Sequence, residues 1–335
     1  LFRGRFPHER AMSVWERKLQ SGTEAFLTWR KRRRFIKKEK QKRKNVVVEW
    51  IEAFLWAVLV VLLINQYFFQ AYQIPSGSMK NTLLISDRIF VNKMIYGPEI
   101  YPGGGKLPGF KKPERGEVII FESPTYISKG PAFDILQRVI YMVTLSFVDI
   151  DRDPEGNPKP HFLIKRGIGI GRDRLRFVRG EVEFLLPGEG RWVPERELDR
   201  LGTPDYTIRR IVEQEEYAAI RADAEIDAYE SALLPVQEEL RGAAADGNAR
   251  FQDLHAWNKY RAGTLYSIYP SEGRYGSEWR KAEIGWYLPE NWVFPLGDNR
   301  DNSRDARYFG PVEKKKVLGR AMFIYWPFSR IGGIR

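Results

Sequence analysis

Between Val46 and Phe69 the chain reads VVVEWIEAFLWAVLVVLLINQYFF, and from Ala53 to Ile64 no polar side chain interrupts it. Taken from Trp50 to Phe69, this stretch supplies the ~20 apolar residues a helix needs to cross the hydrocarbon core of a bilayer. Glu52, Asn65 and Gln66 fall near its ends, where polar groups reach the interface. Trp50 and Tyr67-Phe68-Phe69 stand where aromatic rings favour the headgroup layer. A buried helix of a soluble protein would share the hydrophobicity but not these flanks. A cleaved export signal fits worse, because the preceding region is long and NQYFFQAYQ holds no small-x-small cleavage site. The expectation is one transmembrane helix over 46–69.

Charge sets its direction. Residues 30–44 hold eleven Lys or Arg and one Glu, a net +10 of the chain's +12. Lys and Arg next to a span stay in the cytoplasm. Residues 1–45 are therefore expected inside, as a basic cytoplasmic segment, and the chain beyond residue 70 outside. The same run suits anionic lipid headgroups. Nucleic acid is not expected as a partner, since aromatic interleaving is sparse and the span already accounts for the charge. The chain opens on Leu1, with Met12 as the alternative start.

Cysteine is absent, which removes disulfides, thiol catalysis and Cys-ligated metals. Past the span, short β-type runs bounded by turn residues dominate: Arg88–Lys93, Glu117–Glu122, Phe162–Ile168, Arg174–Phe177, Val182–Leu186 and Val317–Tyr325. No strand–helix alternation appears, so the fold class expected is mostly β, an antiparallel β-rich catalytic domain behind one transmembrane helix. That domain is expected over 70–180 and 290–335. A local insertion, 126–158, suits a strand pair or an interfacial helix, and its apolar face at 134–150 suggests contact with a membrane surface. Residues 181–289 read as an inserted variable domain, partly helical, on the Ala-, Glu- and Leu-rich stretch 208–262.

Just after the span, Pro75 and Gly77 force a turn around Ser76 and Ser78. A serine on such a turn can expose its hydroxyl beside free backbone N–H groups, the parts of a nucleophile with an oxyanion hole. It needs a base. Of the three histidines, His8 lies before the span and His255 in the helical insertion, leaving His161 to consider. A lysine serves if burial makes it neutral. At an unperturbed pKa of ~10.4 only about 0.04% is neutral at pH 7, against roughly 10–50% at a pKa of ~7–8. Lys165, in HFLIKRGIGIGRD, has the apolar neighbours Phe162, Leu163 and Ile164 that such desolvation requires.

Taken together, IPSGSM (74–79) with TLL (82–84), SDRIFVNK (86–93), RGEVIIF (115–121), KRGIGIGRD (165–173) and GDNRDNSRDARYFGPV (297–312) resemble, in order, the boxes of bacterial type I signal peptidases. The resemblance covers roughly residues 50–125, 160–175 and 290–330. It implies a β-rich catalytic domain with a variable insertion, anchored in the cytoplasmic (inner) membrane by a single pass and facing out. Its partners would be exported preproteins and membrane lipids, and it implies no cofactor. By position it makes Ser78 the nucleophile and Lys165 the general base, with the Ser78 amide and Ser76 hydroxyl as oxyanion hole. Ser303 would hold Lys165 by a hydrogen bond, while Asp298, Arg300, Asp305 and Arg307 brace the site through ion pairs. Ile74, Pro75, Met79, Leu83 and Ile164 would line pockets for small residues.

The chain departs from the family's pattern at Asn81 (commonly Pro), Ser86 (commonly Gly), Gly171-Arg172 (usually Pro-Gly), Ala306 (Ser) and Phe309 (Trp). These bear on local turns rather than on the chemistry. The expected activity is removal of signal peptides after small-x-small motifs. The rival readings are another Ser–Lys protease of related fold, such as a self-cleaving repressor, and a catalytically inactive membrane scaffold of the export machinery. GDNRDNSRD also resembles a calcium loop, but Arg300 takes a ligand position and the loop glycine and terminal Glu are missing, so no metal is expected.

Overall fold

A computed structural model describes residues 14–42, 45–101, 104–152, 154–156, 159, 161–186, 188, 190–201, 206–244 and 253–334. The alternative starts Leu1 and Met12, and His8, lie outside them. The chain divides into two compact units between Leu59 and Val60. Within the first, helix α1 (Val14–Lys42) carries most of the basic run. Helix α2 (Val46–Tyr67) passes from one unit into the other. At ~1.5 Å per residue it measures about 33 Å, enough to span a bilayer core. It is the one helix among the described residues long and apolar enough to do so.

The helix ends two residues before the expected Phe69. Asn65 and Gln66 are buried, the Tyr67 hydroxyl donates to the Ile100 carbonyl at 2.8 Å, and Phe69 already opens strand β1 (Phe69–Gln73). Hydrophobicity alone does not separate the two, because an aromatic residue suits the end of a span and the start of a strand equally well.

From β1 onward the second unit is antiparallel β. Strands β2 (Arg88–Asn92), β3 (Val118–Glu122), β4 (Phe162–Ile170), β5 (Arg174–Val178) and β6 (Glu181–Leu185) follow, each on an expected run. The remaining strands are β7 (Val193–Pro194), β8 (Trp286–Tyr287), β9 (Trp292–Leu296), β10 (Val312–Glu313), β11 (Val317–Trp326) and β12 (Gly332–Gly333). One sheet runs β1-β2-β11-β3-β4-β9-β10, with β12 on β11; a second runs β7-β6-β5-β8. Ile168 of β4, Leu175 and Phe177 of β5, Phe184 of β6 and Phe294 and Leu296 of β9 share one buried core, so the two sheets pack through β4 and β9. Gly169 makes this possible: a Cβ there would lie 2.6 Å from Leu288 and 2.8 Å from Leu175.

Residues 131–143 form helix α3 (Pro131–Val143), not a strand pair. The expected boundary at 180/181 falls in the turn of the β5–β6 hairpin, whose ladder runs Arg174↔Leu185 to Val178↔Glu181. Helices α4 (Tyr217–Ser231), α5 (Glu238–Ala243), α6 (Leu254–Ile268) and α7 (Gly273–Ile284) lie within 181–289, the stretch expected to be partly helical. Residues 208–216 are not helical despite their composition. Arg209 bridges to Asn299, and the Ile211 and Val212 amides donate to Asp301 at 2.5 and 3.0 Å, which ties 209–212 to the 299–301 loop; a turn at 214–216 then leads into α4.

Two departures from the family pattern have opposite steric meaning. Ser86 adopts φ +71°, a left-handed conformation that glycine accepts freely, whereas Asn81 adopts φ +94°, which proline cannot reach. Ser86→Gly is expected to stabilise the protein by up to about 1 kcal/mol, and Asn81→Pro to destabilise it by more than about 1 kcal/mol. Thermal unfolding in detergent measures both, and a Ser86→Gly protein less stable than the parent contradicts the backbone assignment.

Candidate active site

The β1 strand delivers the chain to a tight turn. Ser76 is extended (φ −139°, ψ 161°), and Gly77–Met79 form a single 3₁₀ turn. The Ser78 amide sits in the first turn of that helix, where N–H groups have no acceptor within the helix. Its carbonyl accepts from Asn299 N at 3.0 Å, and the Asn299 side-chain amide donates to Gly77 O at 3.0 Å. The Ser78 turn is thereby stitched to the 297–303 loop.

Lys165 comes from the middle of β4, paired across the ladder with Ile119. Its Nζ lies 2.6 Å from Ser78 Oγ and donates to Ile164 O at 3.1 Å. The side chain is buried, with only 3% of the residue exposed. Burial lowers its pKa to about 8, against the opposing pull of the Asp305 and Asp298 carboxylates. Ser76 Oγ stands 3.4 Å from Ser78 Oγ and is solvent-exposed.

Asp298, Arg300, Asp305 and Arg307, the four residues expected to brace the site, are all buried in ion pairs, but two of them pair outside the last box. Asp298 receives a two-pronged contact from Arg166, Nε at 2.9 Å and Nη2 at 2.7 Å, plus the Thr82 hydroxyl at 2.6 Å. Arg166 also donates to Gly116 O at 2.7 Å and lies 4.4 Å over the Tyr206 ring. Arg300 binds Glu195 with both Nη atoms, and Tyr206 donates to the same carboxylate at 2.6 Å. Only Asp305 and Arg307 pair with each other, at 2.9 Å; Asp305 also accepts from Gly297 N at 3.0 Å.

Ser303 Oγ is buried close enough to Asp305 to favour its ionised form, yet no partner meets hydrogen-bond geometry. A Cβ on Gly297 would lie 2.2 Å from that hydroxyl and 2.6 Å from Ser78 O, so only glycine lets the two serines approach. Ile74, Met79, Leu83 and Ile164 belong to one buried cluster beneath the turn, while Pro75 is exposed above it. His161 is engaged elsewhere: its Nε2 lies 2.8 Å from Asp151 Oδ2, its ring stacks on Tyr126, and burial lowers its pKa. His255 packs edge-on to Phe177.

Arg166, Thr82, Glu195 and Asn299 were not singled out in the sequence. Arg166 carried a signal all the same, since an arginine inside an apolar strand must find a buried acid. Glu195, in the insertion, carried none.

A serine hydroxyl against a buried amine whose pKa is lowered, on a β-rich unit joined to one membrane-spanning helix, defines a membrane-anchored serine peptidase. Comparison with known proteins agrees. The family model described as "Signal peptidase, peptidase S26" matches residues 47–200 and 212–326. The chain is 26% identical to signal peptidase I of Buchnera aphidicola subsp. Acyrthosiphon pisum, over 87% of this chain and 79% of that protein. It is 26% identical to signal peptidase I of Haemophilus influenzae (84% and 70% covered) and 27% identical to that of Aquifex aeolicus (85% and 84%). The chain belongs to the signal peptidase family, peptidase S26. It is a serine endopeptidase that removes signal peptides, and the repressor and inactive-scaffold readings give way.

The Arg166–Asp298 pair generates a stability prediction. Asp298→Ala strands a guanidinium in the core and is expected to cost about 3–5 kcal/mol, whereas Arg166→Met combined with Asp298→Leu recovers most of that loss. Denaturant midpoints of the single and double variants measure it; a double variant no more stable than Asp298→Ala contradicts the pairing.

Proposed function

We propose that Ser78 is the nucleophile and Lys165 the general base, acting on exported preproteins at the carbonyl that follows a small-x-small motif. The 2.6 Å contact between Lys165 Nζ and Ser78 Oγ, at an amine whose pKa burial lowers to about 8, carries this reading. Neutral Nζ takes the Oγ proton as Oγ bonds to the carbonyl carbon. The resulting oxyanion is held by the Ser78 amide and the Ser76 hydroxyl. The C–N bond then breaks, Lys165 returns the proton to the departing amine, and an ester on Ser78 remains. Lys165 next deprotonates water, which attacks the ester and releases the signal peptide with Ser78 restored.

Ser303 orients Lys165 when substrate fills the cleft, and Asp298, Arg300, Asp305 and Arg307 hold the loop that carries it. Ile74, Pro75, Met79, Leu83 and Ile164 form the floor and rim of the small-residue pockets. Residues 1–45 lie in the cytoplasm, and the catalytic domain works on the far side of the cytoplasmic membrane. This orientation follows from the basic run before α2. Lipids contact the protein; nucleic acid does not.

Ser78→Ala and Lys165→Ala are each expected to lower preprotein cleavage at least about a thousandfold while the fold is kept. Full activity in either ends the dyad assignment. The base acts only when neutral, and its pKa is depressed, so activity should rise with pH through about 8 and level off above it. At pH 6 about 1% of such an amine is neutral, so kcat/KM should be about a hundredfold below its plateau. A profile that stays flat from pH 9 to pH 6 excludes Lys165 as base.

A further inference from the structure

Segment 126–158 lies outside the boxes that carry the resemblance, and helix α3 within it has its polarity reversed. Asp134, Gln137, Arg138 and Tyr141 recur at i, i+3, i+4 and i+7 and turn inward. Asp134 accepts from the Tyr126 and Ser128 hydroxyls at 3.2 and 2.5 Å, and Gln137 donates to Asp149 at 2.8 Å. Arg138 pairs with Glu99 and Glu122 at 3.1 and 2.8 Å, and the Tyr141 hydroxyl accepts from Gln73 N at 3.3 Å. The opposite stripe faces out. Ile135 is 44% and Leu136 53% exposed, with Val139 and Val143 half-exposed. The stripe continues through Leu145, Phe147 (69% exposed) and Val148, with the Arg88 guanidinium 3.7 Å over the Phe147 ring. A helix at a water surface does the opposite, turning its apolar stripe to the core. A contiguous apolar face left outside marks contact with another apolar phase.

The polar side of α3 identifies that phase, because it is tied to the last turn of the spanning helix. The Gln66 side chain of α2 donates to Glu99 O at 2.8 Å, and Arg138 binds the carboxylate of the same Glu99. Tyr67, the final residue of α2, reaches Ile100 O at 2.8 Å. Tyr141 holds β1, which starts two residues after α2 ends. We propose that α3 and the 145–148 loop lie in the lipid interface beside α2, with the apolar stripe at the headgroup–acyl boundary. The occupant is the bilayer that α2 enters, and the contact is continuous with it. This second anchor fixes the height of β1, and with it the turn at Ser78, above the membrane. The inference rests on α2 being a membrane anchor and is independent of which residues carry the chemistry.

The cysteine-free chain allows a direct test with single labels. Ile135→Cys, Leu136→Cys and Phe147→Cys, and Glu278→Cys on α7 as an exposed reference, are each labelled with an environment-sensitive fluorophore. The full chain is then reconstituted in phosphatidylcholine–phosphatidylglycerol vesicles. The three α3-side labels should be quenched by nitroxides on the acyl chains and be about threefold or more less accessible to aqueous iodide than the reference. Iodide access equal to that at position 278 overturns the proposal. So does protection from both quenchers that disappears on dilution, which would mean a second copy covers the face. An unlabelled Leu136→Glu protein should cut a vesicle-held preprotein about tenfold more slowly, yet a soluble peptide in detergent at the parent rate. Equal slowing on both substrates also overturns it.

Discussion

A lysine amine works as a base only if no carboxylate claims it, and two carboxylates lie close to Lys165. Asp298 and Asp305 both favour its charged form. Each is already held by a guanidinium, Asp298 by Arg166 and Asp305 by Arg307. An arginine stays charged at any working pH and offers a planar fork that matches a carboxylate, so it keeps these acids from pairing with Nζ. Burial then prevails, and the amine falls to about 8. Lys165 and Arg166 are adjacent in β4, so their side chains leave the strand on opposite faces. One strand thus supplies both the Lys165 amine and the cation that neutralises an acid near it.

The same arrangement ties residues 181–289 to the loop that follows β9. Arg300, in the loop that follows β9, would be a stranded buried charge if its partner were missing. That partner is Glu195, which is itself held by Tyr206. A few residues on, Arg209 and Asn299 bridge, and Arg210 clasps Asp301 at 3.0 Å. The loop that carries Ser303 and stitches the Ser78 turn in place is therefore supported from both sides, by β9 and by Glu195 with residues 209–212. Arg210 is in turn held by the Tyr217 hydroxyl of α4, so the helices beyond 212 share in this support.

Much of this was legible in the sequence, for identifiable reasons. Strands β2 to β6 and β11 appeared because alternation and turn residues are local signals. Ser78 and Lys165 appeared because a dry lysine and a turn serine have chemical requirements that their neighbours either meet or fail. The partners of Asp298 and Arg300 did not appear, since Arg166 and Glu195 are 132 and 105 residues away and pairing at that range leaves no periodic trace. Residues 208–216 were misread for the same reason. Their Glu-rich composition favours helix, but Asp301 captures their amides first.

Hydrophobic patterning is most informative in α3, where the apolar face expected at 134–150 lies on the outside. An amphipathic stripe says that one face differs from the other; which face turns inward depends on what lies outside. In α2 the polar residues Asn65 and Gln66 are buried while Leu63 and Ile64 face out. In α3 the same inversion runs along the whole helix, from Asp134 to Tyr141. Both inversions meet at Glu99, which takes Gln66 on its carbonyl and Arg138 on its carboxylate. Buried polar groups must find partners wherever they are placed. A cluster that draws them inward from two helices leaves the apolar sides of both to be solvated by something other than water. In a signal peptidase, that geometry sets the Ser78 turn just past a strand that continues from α2 and that Tyr141 of α3 holds.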